Sequence, residues 1–186
     1  RVLLVLPPDK GYGASGNAQA GIQGTDTLVF VVDIVGAFGA SSSAVGAPVA
    51  PVAGLPTVSA KAGKKPVIAI TKGAKAPAKL VAQPLLKGSG AAVKTGQTLI
   101  AQYVGVVYGT GKQFDASWDR GEPAQFPIGV GQVIPGWDKG LVGASIGSRM
   151  LLVIPPADGY GTAGNAQAGI KGTDTLVFVV DILGAI

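Results

Sequence analysis

The sequence predicts an α+β fold, in which a mostly antiparallel β-sheet carries one short α-helix across a face. Two observations support this prediction: apolar runs of β-type residues between Gly- and Pro-rich turns, and one stretch with helical spacing. Of the 186 residues, 47% are hydrophobic but only 6% are aromatic. Much of the apolar content is therefore alanine, and the core must form around a small number of large side chains.

A long internal repeat relates residues 1–38 to residues 149–186, and nine substitutions leave 29 of the 38 positions identical (38 − 9 = 29). Residues 67–148 occur only once. We therefore predict three parts. Residues 1–38 are the C-terminal half of a preceding domain that is itself incomplete, residues 39–66 are a linker rich in Ala, Pro, Ser and Gly, and residues 67–186 are a complete domain.

The strands of the complete domain begin with a short apolar run at 67–70. Residues 79–86 predict an edge strand or a bulge around Pro84, because proline has no N–H to donate to a ladder. Residues 96–108 alternate between two faces and predict a long strand, which the Gly-rich turn 109–112 closes into a hairpin.

Shorter strands follow, one around Phe114 and a broken one through Phe126. Two further strands, at 148–154 and 173–183, enclose a long Gly-rich loop at 157–172. These apolar segments, with turns between them, complete the predicted sheet.

Residues 133–142 are the one helix candidate. Pro135 suits the first helical turn, where its missing N–H costs nothing. Trp137 and Leu141 lie four residues apart and so share one face. Gly136 and Gly140 lower the helix propensity, so packing must hold this helix.

Several chemistries are excluded by composition. The chain has no Cys and no His, which removes disulfides, thiol catalysis, Cys/His zinc sites and a histidine base. The glycines at 109–112 lack the spacing of a phosphate-binding loop, and the carboxylates from Asp115 onward lack the register of a calcium loop. We expect no metal and no cofactor, and no apolar run is long enough for a transmembrane helix.

The net charge of +5 is unevenly placed, because no acidic residue lies between Asp33 and Asp115. The lysines in that interval are Lys61, Lys64, Lys65, Lys72, Lys75, Lys79, Lys87, Lys94 and Lys112. They are spread out and not interleaved with arginine, so we interpret them as a solvated linker and a lysine-protected sheet edge. An anionic partner is the alternative, but we expect no nucleic-acid partner.

Ordered motifs over residues 78–186 resemble the FK506-binding-protein (FKBP) type of peptidyl-prolyl isomerase. The motifs are Tyr103-Val-Gly, Gly111-Lys-Gln-Phe-Asp115, Val133-Ile134-x-Gly136-Trp137, Pro155-Pro156, Gly159-Tyr160-Gly161 and Thr175-Leu-Val-Phe178. The resemblance implies a bent antiparallel sheet wrapped around the short helix, with a hydrophobic pocket between them.

The resemblance also implies roles for individual residues. Trp137 would form the pocket floor, and the Ile134 backbone N–H would bind a substrate carbonyl. Arg120 would pair near Asp115, and Asp115 and Tyr160 would be polar groups at the rim. The walls would be aromatic at Tyr103, Phe114, Phe126 and Phe178 and aliphatic at Val133, Ile134 and Ile170. Asp115, Tyr160, Trp137 and Phe178 are the predicted catalytic residues.

Two positions depart from the family pattern. Ala124 stands where the family often has another aromatic residue, and Asn165 stands in a loop where histidine is common. That loop is also one residue longer than in the family. These departures concern ligand preference more than activity.

The implied function is isomerisation of X–Pro bonds without a covalent intermediate, assisting the folding of exported proteins. Proline-containing polypeptides and FK506- or rapamycin-like macrolides are the implied ligands. The linker composition is similar to that of secreted tandem-domain bacterial members, which implies an extracellular or cell-envelope location with lipid anchoring as one form. A non-catalytic chaperone or peptide-binding adaptor that uses the same pocket is the alternative.

Residues 1–38 alone should not catalyse, because they contain no counterpart of Trp137, Phe114 or Asp115. We expect their strands to pair elsewhere, since unpaired apolar edges aggregate. They could belong to a longer tandem protein, replace residues 149–186 in the same domain, or exchange between molecules in a strand-swapped dimer.

Overall fold

The structure is a computed structural model that describes residues 1–186, and the chain divides into two compact units, Arg1–Ala37 and Phe38–Ile186. Its strands and helices in chain order are β1 (Val2–Leu6), β2 (Leu28–Val32), β3 (Ala47–Pro48), β4 (Thr57–Ser59), β5 (Val67–Ala69), β6 (Val81–Lys87), β7 (Thr98–Val107), β8 (Gln113–Ala116), α1 (Ser117–Arg120), β9 (Ala124–Pro127), α2 (Pro135–Leu141), β10 (Arg149–Ile154) and β11 (Leu176–Ala185). No helix is both long and apolar enough to cross a membrane.

The larger unit is organised by one antiparallel sheet. Its strand order is β3-β6-β10-β11-β7-β8, and β9 pairs with β7 beyond the end of β8. The long strands β7 and β11 lie side by side at the centre, and β10 and β11 are buried along almost their whole lengths. An antiparallel sheet with the helix α2 packed on it is the α+β architecture that the sequence predicts.

Each face of this sheet carries its own hydrophobic cluster. The inner cluster lies between the sheet and α2, and its fully buried members include Leu99, Leu141, Leu152, Ile154, Leu176 and Ile182. The outer cluster uses the alternate residues of the same strands: Val104, Val106, Leu151, Val153, Val177 and Val179. The alternation of β7 therefore reflects two buried faces rather than one buried and one solvated face.

The segment 39–66, predicted as a linker, differs in the structure. β3 pairs with β6, and Leu55 and Val58 pack on the outer cluster. The N–H of Ala44 also donates to the carboxylate of Asp181 over 3.0 Å. Apolar side chains spaced between the prolines bury a sheet face that would otherwise meet water, and this burial holds the segment in place.

The last strand begins at Leu176 rather than at the predicted residue 173. The backbone N–H of Lys171 donates to the Asp174 carboxylate over 2.8 Å, and the N–H of Asp174 donates back to the Lys171 carbonyl over 3.0 Å. These two hydrogen bonds form a closed turn at residues 171–174, so the strand can begin only after it. The irregularity predicted near Pro84 is present as a register shift between Arg149 and Met150, opposite β6.

The smaller unit consists of β1 paired antiparallel with β2 and of the loop between them. Three single 3₁₀ turns, Pro8–Lys10, Gly13–Ser15 and Ala18–Ala20, shape that loop. None of its residues is buried. The arrangement in which residues 1–38 replace residues 149–186 is not the one in this structure, because β6 and β7 pair with β10 and β11.

Candidate active site

The floor of the candidate site is the N-terminal turn of α2. Pro135 opens the helix, and Trp137 and Leu141 point into the inner cluster, with Trp137 only 4% exposed. A Cβ atom at position 136 would come within 2.6 Å of Ile154, so only glycine lets α2 approach β10 this closely. Close packing on the sheet therefore outweighs the poor helix propensity.

Three aromatic rings stand edge-on around Trp137. The ring centroids of Tyr103, Phe126 and Phe178 lie 5.3, 5.1 and 5.4 Å from that of Trp137, with interplanar angles of 87°, 75° and 85°. These are the T-shaped geometries that the aromatic quadrupole favours. The rings come from β7, β9 and β11, so the sheet itself orients the walls.

A fourth ring, that of Phe114 on β8, packs edge-to-face on Phe178 at a centroid distance of 5.4 Å. Both rings pack directly against the backbone of Gly105, where an added Cβ atom would lie 2.7 Å from each of them. Any larger residue at position 105 would push both rings out of place. The glycine after Tyr103-Val is thus required by the packing of the wall.

The polar corner of the site is a network of Tyr103, Asp115 and Arg120. The Tyr103 hydroxyl donates to the Asp115 carboxylate, and Arg120 donates to Asp115 over 2.6 Å and to the Tyr103 oxygen over 2.8 Å. The guanidinium also lies 5.5 Å from the centroid of the Tyr103 ring. Burial and the hydrogen bond to Asp115 raise the pKa of Tyr103 to about 12.

The one-turn helix α1 supplies Arg120, and the sequence prediction missed it. Its first residue, Ser117, is fully buried and accepts a hydrogen bond from the N–H of Tyr103 over 2.8 Å. The Ser117 hydroxyl also donates to the side chain of Gln102. Where β8 ends, the backbone N–H of Tyr103 is therefore bound by a side-chain hydroxyl instead of a strand carbonyl. The helical turn that follows places Arg120 beside Asp115.

Two loops form the rim. The carboxylate of Asp138 accepts hydrogen bonds from the N–H groups of Gly129 and Gly131 over 2.6 and 2.8 Å, which fixes the loop before α2. On the other side, Lys139 forms an ion pair of 2.6 Å with Asp158, next to Tyr160. Both anchors come from α2, so the helix that forms the floor also positions the rim.

These elements enclose a cavity of about 710 Å³. The residues that line it are Tyr103, Phe114, Asp115, Phe126, Gly131, Gln132, Val133, Ile134, Pro135, Trp137, Gly159, Tyr160, Asn165, Gln167, Ala168 and Phe178. Its size and its mostly apolar lining with a few polar groups are those of a small-ligand or side-chain pocket.

All predicted site residues line this cavity except Arg120 and Ile170. Arg120 lies behind Asp115 and holds it, and Ile170 is buried in the inner cluster, 4% exposed. Ala124, on β9, packs against the inner cluster and does not reach the cavity. The roles assigned to these residues stay predictions.

Several lining residues were not predicted: Gly131, Gln132, Pro135, Gly159, Asn165, Gln167 and Ala168. Asn165 was noted only as a departure from a family pattern, yet it organises its loop. Its side chain accepts from the Ala168 N–H over 3.1 Å, and its backbone pairs with Ile170. An Asn three residues before an N–H it can cap is a local signal for such a turn.

The fold and the site together define a class: proteins that hold an aromatic cavity between a short helix and an antiparallel sheet. A family model for the FKBP-type peptidyl-prolyl cis-trans isomerase matches residues 90–183. The chain belongs to this family and is an isomerase of the FKBP type.

Named relatives agree with this assignment. The chain is 44% identical over 111 residues to the FK506-binding protein of Streptomyces anulatus, a match that covers 60% of this chain and 90% of the relative. It is 40% identical over 122 residues to the probable FK506-binding protein of Corynebacterium glutamicum, which covers 66% of this chain and 99% of the relative.

Solved structures show the same fold. The crystal structure of AtFKBP13 matches with a TM-score of 0.54 and 35% identity, covering 60% of this chain and 96% of that chain. The crystal structure of FkpA from Escherichia coli matches with a TM-score of 0.52 and 42% identity, covering 57% of this chain and 47% of that chain. The α+β, FKBP-like fold class is thereby confirmed.

Proposed function

We propose that the cavity over Trp137 is where the chain accelerates cis–trans isomerisation of X–Pro bonds, without a covalent intermediate. One observation carries the proposal: the Trp137 floor and four aromatic wall rings enclose an apolar space, and the Asp115 carboxylate is held at its edge by Arg120. A prolyl ring fits the apolar part, and its flanking amides can reach the polar corner.

The chemistry requires stabilisation of a twisted amide. The rotation barrier of about 18–20 kcal/mol arises from C–N double-bond character, which is lost when the amide twists. The twisted amide is less dipolar than the planar one, so an aromatic, poorly hydrated cavity favours it over the ground state. Catalysis is then differential binding of the transition state, which needs no nucleophile and no proton transfer.

Each polar group has a defined task in this proposal. The N–H of Ile134 has no acceptor within the chain and lies at the cavity wall, where it can donate to a substrate carbonyl. Asp115 is held by Tyr103 and Arg120 and faces the cavity, where it interacts with the twisting amide. Tyr160 closes the opposite rim.

The same cavity suits FK506- or rapamycin-like macrolides. A ligand that places a ring in the prolyl position and offers a carbonyl oxygen to the Ile134 N–H has the features that the cavity selects.

We extend the proposal to exported polypeptides as clients. Support for that extension is the Ala- and Pro-rich composition of residues 39–66, which is similar to secreted members of the family. Localisation of the tagged full chain by cell fractionation tests it, and an exclusively cytosolic chain contradicts it.

The test is isomerisation of an Xaa-Pro tetrapeptide, followed by exchange NMR at known chain concentration. We expect acceleration by the wild-type chain and its loss when Trp137→Ala is combined with Asp115→Val. Acceleration that is absent in the wild type, or unchanged in that double variant, contradicts the proposal. Peptide binding without acceleration instead supports the non-catalytic chaperone or adaptor.

A further inference from the structure

The smaller unit reproduces the fold of the C-terminal half of the larger unit. β1 pairs with β2 in the register Val2↔Val32 to Leu6↔Leu28, and β10 pairs with β11 in the register Met150↔Val180 to Ile154↔Leu176. Adding 148 to the first set of numbers gives the second. The ion pair at the end of the two strands away from the connecting loop is also repeated, as Arg1–Asp33 and as Arg149–Asp181.

The loops of the two copies agree as well. The 3₁₀ turns Pro8–Lys10 and Gly13–Ser15 correspond to Pro156–Asp158 and Gly161–Ala163. The isolated bridge Asn17↔Ile22 corresponds to Asn165↔Ile170. Residues 1–37 therefore present a preformed copy of half of the FKBP fold.

What differs between the copies is burial. Val29 and Val31 are 62% and 66% exposed, whereas their counterparts Val177 and Val179 are 0% and 1% exposed. The pattern continues two residues after β2, where Ile34 is 68% exposed and its counterpart Ile182 is 0% exposed, and on β2 itself Phe30 is 45% exposed while its counterpart Phe178 is 4% exposed. Both faces of β2 are thus apolar and open, although large open apolar patches on folded proteins usually mark interaction sites.

We propose that this open surface of β1 and β2 binds a polypeptide with the sequence of residues 67–148 that carries no C-terminal half of its own. Within the larger unit, residues 67–148 supply β6 and β7, which pair with β10 and β11, and α2, which packs on their inner face. They also supply Ile68, Ile70 and Ala76 on the outer face, to which residues 39–66 add Leu55 and Val58. Since the two C-terminal halves are nearly identical in sequence and backbone register, the same residues fit both.

A second intact copy of the chain is not the occupant. Each copy contributes one segment 67–148 and two C-terminal halves, so an exchange of strands between copies uncovers as much apolar surface as it covers. Only a segment 67–148 without a resident C-terminal half gives a net gain in buried area. The partner is therefore an FKBP-type N-terminal half.

The complex would contain a second cavity, and this part of the inference rests on the proposed function. Phe30 and Tyr12 would take the positions of Phe178 and Tyr160, and the added segment would supply the floor and the remaining walls. In the free chain Phe30 and Tyr12 are 45% and 50% exposed, ready for such a contact.

The experiment adds a separate polypeptide of residues 67–148 to the folded 186-residue chain by dilution from denaturant. We expect a one-to-one complex in native mass spectrometry and sedimentation, and a doubling of the isomerase rate per chain. Ile34→Lys should abolish the complex without changing the rate of the free chain, because Ile34 is exposed there. Gln23→Lys is the matched control, since Gln23 and its counterpart Lys171 are both exposed.

The absence of a complex, or a complex that Ile34→Lys leaves intact, overturns the proposal. A dimer of the chain alone that Ile34→Lys dissociates also overturns it, because the surface would then bind a second copy. If the complex forms but the free chain itself does not accelerate isomerisation, the proposed function fails while the binding surface stands.

Discussion

The hydroxyl of Tyr103 donates to Asp115 while the guanidinium of Arg120 donates to both, so the three side chains form a closed triangle at the cavity rim. The triangle joins β7, β8 and α1, three elements that are consecutive in the chain. It keeps the Asp115 carboxylate at one place beside the aromatic walls.

Asp115→Asn should lower kcat/KM for a proline-containing peptide by about tenfold, which is equivalent to ~1.4 kcal/mol. The amide is isosteric but carries no charge, so it binds Arg120 more weakly and changes the field at the cavity. Asp119→Asn is the control, since Asp119 is exposed and pairs with Lys65 outside the cavity. Equal rates for the two variants would remove Asp115 from the mechanism.

Tyr103 should give the chain a specific loss of stability at high pH. Its pKa is about 12 in the folded chain, against about 10 in an unfolded one. The folded state therefore holds the proton more tightly, so the contribution to stability is complete below pH ~10 and is lost as the pH rises through ~12. Urea unfolding across this range should show the fall, and Tyr103→Phe should remove it. A Tyr103→Phe curve parallel to the wild type would refute the assignment.

Trp137→Ala should lower the free energy of unfolding by about 3–5 kcal/mol, because it removes the floor of the inner cluster and leaves a cavity. Trp118→Ala should cost less than half as much, since Trp118 belongs to neither buried cluster. Both tryptophans lie in the larger unit, so in each variant the fluorescence of the remaining one reports unfolding of that unit alone. Similar losses for the two variants would contradict this.

The duplicated ion pair offers a matched comparison. Asp181 is 1% exposed and its removal leaves Arg149 and the N–H of Ala44 buried without an acceptor, so Asp181→Ala should cost about 3–5 kcal/mol. The equivalent Asp33 is exposed and paired with exposed Arg1, where water screens the charges, so Asp33→Ala should have little effect on stability. Amide hydrogen exchange in β11 and in β2 measures the two effects separately, and equal effects would show that burial is not the cause.

Sequence periodicity was sufficient where one side-chain pattern dominates. It located the long strand β7, the strands β10 and β11 to within a few residues, and the helix α2, whose Pro135, Trp137 and Leu141 have the spacing of a buried face. The side chains predicted for the site lie together in the structure because motif order fixes which strand carries each of them.

Tertiary packing decided what the pattern could not. Part of the cover on the outer face of the sheet comes from residues 39–66, yet that stretch has no periodicity and only scattered apolar residues such as Leu55 and Val58. Helix α1 was missed because it is only four residues long, too short for a helical pattern, and a buried Ser117 hydroxyl anchors it to β7. The rim residues Gln132 and Gln167 carry no sequence signal, since they reach the cavity only through loop geometry.

Phe38 opens the larger unit, and its ring lies so close to Gly184 in β11 that a Cβ atom there would come within 3.1 Å of it. The first residue of the unit therefore lies close to its C-terminal strand, where β7 and β11 pair at Leu99 and Ala185. Joining residue 186 to residue 38 and opening the chain at the exposed turn 109–112 would preserve every strand pairing of the larger unit. Because its two ends lie close together, the domain should tolerate circular permutation and insertion into a loop of another protein.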